Sequence, residues 1–363
     1  MGVPDLGAAL RYFWHPVCSL DELAVAAPHP LAVELLGTRL AVADVGTPGA
    51  PSLMAVADRC PHRSTALSVG WVEEGALRCA YHGWRFACDG RCVEIPSLGP
   101  DRGVIPERAA VGAAEAEVAY GLVWVRLDAG VPTRIPDHPA WVDPTMKVLG
   151  GRPYTWPTSA ARRVENFVDL AHFPWVHDGT LGVRREPVPP VPVVRREAGE
   201  LRFEYEPPEL DPADTALYGF SRYRMPVPLT VDIEFTLATG ATRRLWMTAS
   251  PVDHGHCRTF WSVSRDDDLA GDDAEHLAFQ DLVLAEDEPV VCNQDPPELP
   301  LDASELSVRT DRVSIEYRRW LRELADAAAG PDAAAVAAVL ASETAREPAA
   351  HPSRRGASTV STP

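Results

Sequence analysis

Two short segments carry cysteine and histidine at spacings that suit a metal cluster. The first contains Cys60 and His62 with one residue between them. The second begins sixteen residues later and contains Cys79 and His82 with two residues between them. Two thiolates and two imidazoles suit a [2Fe–2S] cluster in which the cysteines hold one iron and the histidines hold the other. Imidazole ligands raise the reduction potential of such a cluster, so the site is predicted to accept electrons and pass them on.

A structural zinc site is the alternative for these four residues. Zinc sites with this composition usually take both cysteines from one segment and both histidines from another. Here each segment supplies one cysteine and one histidine, so the pattern favours the cluster. Cys88 and Cys92 flank the Asp89-Gly90 turn of a predicted hairpin. They are predicted to be ordinary strand residues and are not assigned to iron.

A second metal site is predicted about ninety residues further along the chain. Asn166, Asp169, His172 and His177 follow the pattern N-x-x-D-x-x-H-x-x-x-x-H. On a helix, Asp169 and His172 would share a face, whereas His177 would turn away. Pro174 is predicted to interrupt the helix and bring His177 back. Two imidazoles and one carboxylate with open coordination positions form the ligand set of non-haem Fe(II) oxygenases.

The sequence predicts two domains that would position these groups. Residues 1–130 form a strand-rich domain, residues 131–146 a proline-rich linker and residues 147–343 a second domain. Alternating apolar and polar runs in the second domain indicate antiparallel strands with one solvent-facing side. Residues 311–324 indicate a closing amphipathic helix. The residues from 344 to 363 are rich in alanine, proline, serine and threonine and are predicted to be disordered.

Composition excludes several classes of protein. The formal charge of −18 argues against a nucleic-acid partner. No apolar run approaches the length of a membrane span, and the first residues do not resemble a signal peptide. Seven cysteines, two of them candidate cluster ligands, suit a reducing compartment better than a disulfide framework, so the cytoplasm is the expected location.

The remaining histidines are not predicted to be metal ligands. His254 and His256 lie in a predicted turn between strands, where surface exposure is the expected state. His256 facing the substrate is the alternative. His138 lies in the predicted linker and His351 in the predicted tail.

Both metal segments resemble motifs of the Rieske non-haem iron oxygenases. Pro-His-Arg after Cys60 and Tyr-His-Gly-Trp after Ala80 resemble the Rieske motif, and the Asn166 pattern resembles the mononuclear-iron motif. In the branch that includes vanillate O-demethylase and dicamba monooxygenase, an Ala/Lys-Glu-Asp-x-x-Val-Val segment supplies the third iron ligand. The matching segment here implies Asp287 as the ligand, with Glu286 as the alternative. A solvated acidic run is the non-functional interpretation of this segment.

The resemblance implies an α+β fold with an N-terminal Rieske β domain. It also implies a C-terminal helix-grip (START-like) domain, in which an antiparallel sheet and helices enclose the substrate. The family resemblance further implies a homotrimer in which the cluster of one subunit feeds the iron of the next. Asp169 would then bridge His82 to His172 across the interface. Asn166, which opens the motif, is the other candidate catalytic residue.

The implied function is that of a mono-oxygenase that uses O₂ and two external electrons. The chain lacks a strand–GxGxxG–helix signature, so NAD(P)H is expected to be oxidised on a separate flavin or iron–sulfur reductase, or to act through a ferredoxin. That partner is expected to dock near His62 and His82. Phe167, near the predicted iron, suggests a small, partly apolar, aromatic or heterocyclic substrate that is hydroxylated or oxidatively demethylated.

Two other functions compete with this one. A Rieske oxygenase of secondary metabolism that performs oxidative cyclisation or desaturation would use the same sites. A Rieske electron carrier would need only about the first 130 residues. The carrier hypothesis leaves His172, His177 and Asp287 unexplained.

Overall fold

The computed structural model describes six segments of the chain: residues 5–47, 50–99, 103–197, 199–206, 220–330 and 332–346. Residues 347–363 of the predicted tail, which include His351, lie outside them. Residues 344–346, also assigned to the tail by the sequence analysis, form a strand that pairs with the strand at Val194–Glu197.

The N-terminal domain is built mainly from antiparallel strands. Its elements are α1 (Leu6–Leu10), β1 (His15–Ser19), α2 (Leu20–Ala26), β2 (Leu31–Leu35), β3 (Thr38–Asp44), β4 (Leu53–Ala57), β5 (Trp71–Glu73), β6 (Ala76–Arg78), β7 (Arg85–Phe86), β8 (Cys92–Glu94), β9 (Ala113–Ala119) and β10 (Leu122–Arg126). Within the described residues, one sheet has the order β1-β10-β9-β4-β3-β2 and a smaller sheet has the order β5-β6-β7-β8.

Strand β4 explains how the larger sheet supports the cluster segments. Met54 and Val56 pack in one core with Cys60 and Cys79, whereas Ala55 points into a second core on the opposite side. Successive strand residues point to opposite faces, so a strand buried on both sides reads as a continuous apolar run. The cluster loops therefore rest on a rigid two-sided sheet.

The C-terminal domain combines one long antiparallel sheet with helices. Its elements are α3 (Pro139–Val142), β11 (Lys147–Gly150), β12 (Tyr154–Trp156), α4 (Ala160–Val168), α5 (Phe173–Val176), β13 (Val194–Glu197), β14 (Glu200–Tyr205), β15 (Ser221–Val227), β16 (Thr230–Thr236), β17 (Thr242–Pro251), β18 (Cys257–Arg265), α6 (Asp273–Val291), α7 (Arg312–Ala328), α8 (Ala333–Ala341) and β19 (Thr344–Arg346). Among the described residues the sheet order is β11-β18-β17-β16-β15-β14-β13-β19, and β12 also pairs with β18. The predicted α+β architecture with antiparallel sheets is confirmed.

Helix α7 is the predicted amphipathic helix, although it continues to Ala328 and is followed in the domain by α8 and β19. Its apolar side is fully buried at Tyr317 and Trp320 in the same core as Val231 and Met247 of the sheet. Tyr317 also donates a hydrogen bond from its hydroxyl to the carbonyl oxygen of Pro228, at 2.9 Å. The helix thereby fixes the turn before β16, whose residues line the cavity described below.

The segment 131–146, predicted to be a linker, packs on the C-terminal sheet. His138 is buried there, stacked on Trp246 with ring centroids 4.7 Å apart, and shares a 2.8 Å hydrogen bond with Ser262. The two domains also touch directly, because Arg258 of β18 donates to the carbonyl oxygen of Val17 and pairs with Glu22. These contacts fix the N-terminal domain against the sheet.

Candidate metal centres and active site

The loops after β4 and β6 bring the four predicted cluster ligands together. Cys60 and Cys79 are buried, at 2% and 1% exposure. The rings of His62 and His82 lie with centroids 4.4 Å apart, and Trp84 stacks on His62 at 4.7 Å. Gly83, at φ +70°, closes the second loop by donating from its N–H to the carbonyl oxygen of Cys79 at 3.0 Å. The backbone thus presents a buried cysteine pair beside a histidine pair.

These four side chains fit a two-iron cluster better than a single ion. Zinc–ligand bonds of about 2.0–2.3 Å keep all four ligand atoms of a tetrahedral site within about 4.5 Å of one another. In the part of the chain that the structure describes, the one set of three or more such ligand atoms within 4.8 Å of one another lies elsewhere, at His172, His177 and Asp287. The Nδ1 atom of His62 is buried without a hydrogen-bond partner in the described structure, as expected of a nitrogen that binds a metal.

Burial controls the protonation of Cys60. Burial, opposed by the backbone N–H of His62 and reinforced by the thiol of Cys79, raises the pKa of Cys60 to about 11. Without a metal the Cys60 thiol stays protonated at neutral pH, since thiolate in an apolar site is costly. A bound metal ion replaces the proton as the stabilising charge.

The second metal segment lies between helices α4 and α5. Ser159 caps the start of α4 by accepting a hydrogen bond from Arg162 N–H, and the helix ends at Val168, before the extended residue Asp169. The prediction that Pro174 kinks a continuous helix is therefore wrong. The break precedes His172, and Pro174 lies in the first turn of α5, where its missing N–H costs no hydrogen bond. His172 and His177 flank this short helix, and their ring centroids lie 5.0 Å apart.

Asp287 lies beside the two histidines, and the three side chains form a triad. Its Oδ1 lies 3.2 Å from His177 Nε2 and 3.6 Å from His172 Nε2. Burial alone would raise the pKa of Asp287, but the hydrogen bond with His177 and the charge of Arg163 lower it to about 2. The carboxylate is therefore ionised at neutral pH. This donor set has the composition of a non-haem Fe(II) site.

Glu286 has a different place from its neighbour. Its two carboxylate oxygens take separate hydrogen bonds, one with His177 Nδ1 at 2.7 Å and one from the Thr180 hydroxyl at 2.8 Å. Because a hydrogen bond at Nδ1 orients the imidazole, Glu286 directs Nε2 of His177 toward Asp287. The geometry thus separates the alternatives: Asp287 faces the triad, and Glu286 lies behind it. Glu288 is exposed.

Asn166 and Arg163 contact the triad from α4. The amide of Asn166 donates to Asp287 Oδ1 at 3.1 Å, and Arg163 Nη1 lies 3.5 Å from Asp287 Oδ2. Arg163 also donates to the side-chain oxygen of Asn166. Arg163 was not predicted from the sequence, because an arginine on a helix is usually exposed. Its spacing of three residues from Asn166 is the signal that places both on one face.

Asp169 lies beside His172 at the protein surface. Its Oδ1 accepts a hydrogen bond from the N–H of Ala171 at 2.8 Å, and its Oδ2 lies 3.6 Å from His172 Nδ1. The carboxylate is one-third exposed. It therefore holds the turn before His172 while its side chain remains partly open to solvent.

A cavity of about 410 Å³ opens beside the triad. Its walls are mainly apolar and include Phe167, as predicted from the sequence. Other apolar wall residues are Leu181, Tyr223, Ile233, Phe235 and Leu245. Gln280 of α6 is buried at the cavity, and its Nε2 has no hydrogen-bond partner in the described structure. Gln280 was not predicted from the sequence.

The other predicted cysteines and histidines lie apart from these sites. The side chains of His254 and His256 are largely exposed, and neither lines the cavity. Cys88 is exposed, whereas Cys92 is buried and donates from its thiol to the carbonyl oxygen of Glu94 at 3.3 Å.

Comparison with known proteins agrees with this geometry. Residues 13–112 match the Rieske [2Fe-2S] domain family, and residues 156–327 match the vanillate O-demethylase oxygenase C-terminal domain family. The chain is 39% identical over 326 residues to the methylxanthine N1-demethylase NdmA of Pseudomonas putida, covering 88% of this chain and 90% of the relative. It is 42% identical over 327 residues to the methylxanthine N3-demethylase NdmB of the same organism, covering 87% and 89%.

The chain belongs to the Rieske non-haem iron oxygenases. The structure of Pseudomonas putida NdmA with caffeine superposes with a TM-score of 0.86 at 36% identity, covering 96% of this chain and all of that one. Dicamba monooxygenase bound to dicamba shares the fold, with a TM-score of 0.72 at 22% identity over 87% of this chain and 98% of that one.

Membership in this family excludes two of the earlier alternatives. As a Rieske oxygenase, this protein is an enzyme with a [2Fe–2S] cluster and a mononuclear iron. It uses O₂, a small-molecule substrate and a separate reductase. The zinc and electron-carrier alternatives are therefore wrong. Among the helices that the structure describes, none combines the length and the apolar character needed to cross a lipid bilayer.

Proposed function

We propose that this Rieske oxygenase removes a methyl group from a nitrogen atom of a methylated bicyclic heteroaromatic compound of the xanthine class. The observation that carries the proposal is the cavity beside the His172–His177–Asp287 triad, with its apolar walls and one unpaired buried amide at Gln280. The two methylxanthine N-demethylases that match along most of the chain support the same reaction.

The position of Gln280 sets the size of the substrate. It lies seven residues before Asp287 on α6, so the two side chains are about 10 Å apart along the helix at 1.5 Å per residue. A flat bicyclic ring can span this distance with its methyl group at the triad. A buried donor without a partner costs about 1–3 kcal/mol. A carbonyl oxygen or ring nitrogen of the substrate would satisfy Gln280 and fix which methyl group faces the triad.

The proposed reaction consumes one O₂, two electrons and two protons. One oxygen atom enters a C–H bond of the N-methyl group and the other leaves as water. The N-hydroxymethyl product then breaks its C–N bond, releasing formaldehyde and the N–H heterocycle. A mononuclear iron with open positions supplies the activation of O₂. The apolar wall holds the methyl group in place and excludes bulk water.

The test is a substrate panel with formaldehyde and ring product measured together. The protein, supplied with NADH and a reductase, is given caffeine, theobromine and theophylline, with unmethylated xanthine as the control. One formaldehyde per demethylated ring is expected. Gln280→Ala should reduce the selectivity for one methyl position, measured as the proportions of the demethylated products. Asp281→Ala, which alters an exposed residue of the same helix, should change these proportions far less. Hydroxylated rings that keep every methyl group would contradict demethylation.

The residues that hold the metals are the second part of the proposal. Cys60, His62, Cys79 and His82 would hold the cluster. His172, His177 and Asp287 would hold the mononuclear iron. Asp287→Ala should lose the mononuclear iron and retain the cluster, whereas Glu288→Ala should retain both. Metal analysis with EPR of the reduced cluster distinguishes these results, and retention of mononuclear iron by Asp287→Ala would overturn the ligand assignment.

A homotrimer with electron transfer between subunits is the third part. Two surface features support it: His82 is exposed, and Asp169 presents a carboxylate oxygen beside His172. In the trimer Asp169 would bridge these histidines across the interface. A separate flavin or iron–sulfur reductase, or a ferredoxin, would reduce the cluster.

Mixed trimers test this route directly. Cys60→Ser lacks the cluster and Asp287→Ala lacks the mononuclear iron, so each variant alone should be inactive. Co-expression of the two chains should restore product only if the cluster of one subunit serves the iron of another. Inactive mixed trimers of confirmed composition would contradict transfer between subunits.

A further inference from the structure

Arg163 is a buried cation beside the proposed iron site. Its side chain is fully buried, and within the described part of the chain Asp287 is the carboxylate with which it forms an ion pair. A buried charge is costly unless it is paired and hydrogen-bonded. The fold therefore keeps a guanidinium whose charge partner is a proposed iron ligand.

Aromatic rings and a hydroxyl hold this guanidinium in place. Its central carbon lies 4.0 Å from the ring centre of Phe167 and 4.4 Å from that of Trp156. Its Nε donates to the hydroxyl of Tyr154 at 2.8 Å, and Nη1 donates to the Asn166 side-chain oxygen. Stacking and directed hydrogen bonds use the planar shape of arginine, which lysine lacks. The two aromatic rings and the two hydrogen bonds thus fix the position of the guanidinium charge.

The two oxygens of Asp287 consequently face different groups. Oδ1 lies 3.2 Å from His177 Nε2 and accepts from the Asn166 amide at 3.1 Å. Oδ2 lies 3.5 Å from Arg163 Nη1. A metal held by the two histidine nitrogens therefore meets Oδ1, whereas Oδ2 is turned toward the cation.

We infer that Arg163 is a positioning residue that holds Oδ2 of Asp287 away from the mononuclear iron, so that the carboxylate binds through Oδ1 alone. The inference rests on the proposed assignment of Asp287 as an iron ligand. Binding through one oxygen keeps free a coordination position that a two-oxygen carboxylate would fill. Removal of the guanidinium would release Oδ2 and change the coordination of the iron.

Arg163→Lys and Arg162→Lys form a matched pair for the test. Arg162 is the adjacent residue and is equally buried, but it binds the carbonyl oxygens of Pro296 and Glu298 and the carboxylate of Glu305. Each protein is treated anaerobically with nitric oxide, and EPR reports the symmetry of the Fe(II)–nitrosyl adduct while the oxidised cluster stays silent. Mononuclear iron affinity is measured by chelator competition.

A shifted or heterogeneous nitrosyl signal is expected for Arg163→Lys and a wild-type signal for Arg162→Lys. Loss of a group that orients a metal ligand typically costs about 10–100-fold in affinity or activity. Arg163→Lys should therefore lose about 10-fold or more in product formed per electron consumed, with little change in KM. A wild-type signal and wild-type coupling in Arg163→Lys would overturn the inference.

Tyr154→Phe tests the role of Arg163 if Arg163→Lys does not fold. It removes only the hydroxyl that fixes Arg163 Nε and leaves Asp287 untouched. It should shift the nitrosyl signal in the same direction by a smaller amount, and an unchanged signal would overturn the inference. A wrong ligand assignment would give a different result from a wrong role for Arg163, because Asp287→Ala would then retain its mononuclear iron.

Discussion

Glu286→Gln offers a sharp test of how the site is supported. Both oxygens of Glu286 are engaged, with His177 Nδ1 at 2.7 Å and with the Thr180 hydroxyl at 2.8 Å. Glutamine keeps the shape but replaces one acceptor oxygen with an N–H₂ group, so it cannot accept both hydrogen bonds. Hydrogen bonds to charged groups contribute about 1.5–3 kcal/mol and neutral ones about 0.5–1.5 kcal/mol. The difference of about 1 kcal/mol predicts a loss of about 5-fold in mononuclear iron affinity.

Glu286→Ala removes the whole interaction and should cost more. The loss of about 1.5–3 kcal/mol corresponds to about 10–100-fold in affinity, in the range typical of groups that orient metal-binding histidines. The assay is anaerobic chelator competition for the mononuclear iron, with cluster absorbance recorded as an internal check of folding.

Glu288→Gln is the matched control because Glu288 is an exposed carboxylate on the same helix. Its iron affinity should equal that of the wild type. Equal affinity in all three variants would refute the role of Glu286 in orienting His177. Complete loss of iron in Glu286→Ala, with iron retained in Asp287→Ala, would show that Glu286 is the ligand.

Three further predictions concern other parts of the molecule. Burial lowers the pKa of His138 to about 4, from 6.5 when unfolded, so its contribution is present above pH 6.5 and is lost as the pH falls toward 4; in urea unfolding, the loss of stability over this pH range should be smaller in His138→Gln than in the wild type by about 3 kcal/mol, whereas His254→Gln should match the wild type. Trp320→Ala empties a fully buried position and should lower the free energy of unfolding by about 3–5 kcal/mol, measured by the same method. Asp169→Asn should fill both metal sites and keep its reducible cluster, yet form orders of magnitude less product in a single turnover; wild-type yield would remove Asp169 from the electron route.

The sequence was sufficient to predict the residues that the structure brings together at both proposed metal sites. The reason is that metal ligands must be particular residue types, and short loops or single helices supply most of them. Cys60 and His62 lie in one loop, and His172 and His177 flank one short helix. Asp287 is distant in sequence, and its acidic neighbours leave the choice of carboxylate open in the sequence. The contacts of Glu286 with His177 and Thr180 favour Asp287 as the proposed ligand.

Features that depend on tertiary packing were not predicted. Pro174 was expected to break a helix, but the helix ends earlier, at Val168, and Pro174 lies in the first turn of the next one. Arg163 and Gln280 carry polar groups at buried positions, which composition and periodicity assign to the surface. His138 was placed in a linker, although stacking on Trp246 buries it.

The measurement that tests the central claim most directly is a single turnover with formaldehyde as the readout. The protein is reduced chemically, freed of reductant and exposed to O₂ with one methylated xanthine and no reductase. The account predicts formaldehyde and the N–H heterocycle in equal amounts, approaching one per mononuclear iron, and none from Asp287→Ala. Reoxidation of the cluster without formaldehyde, for every methylated heterocycle that binds, would contradict it.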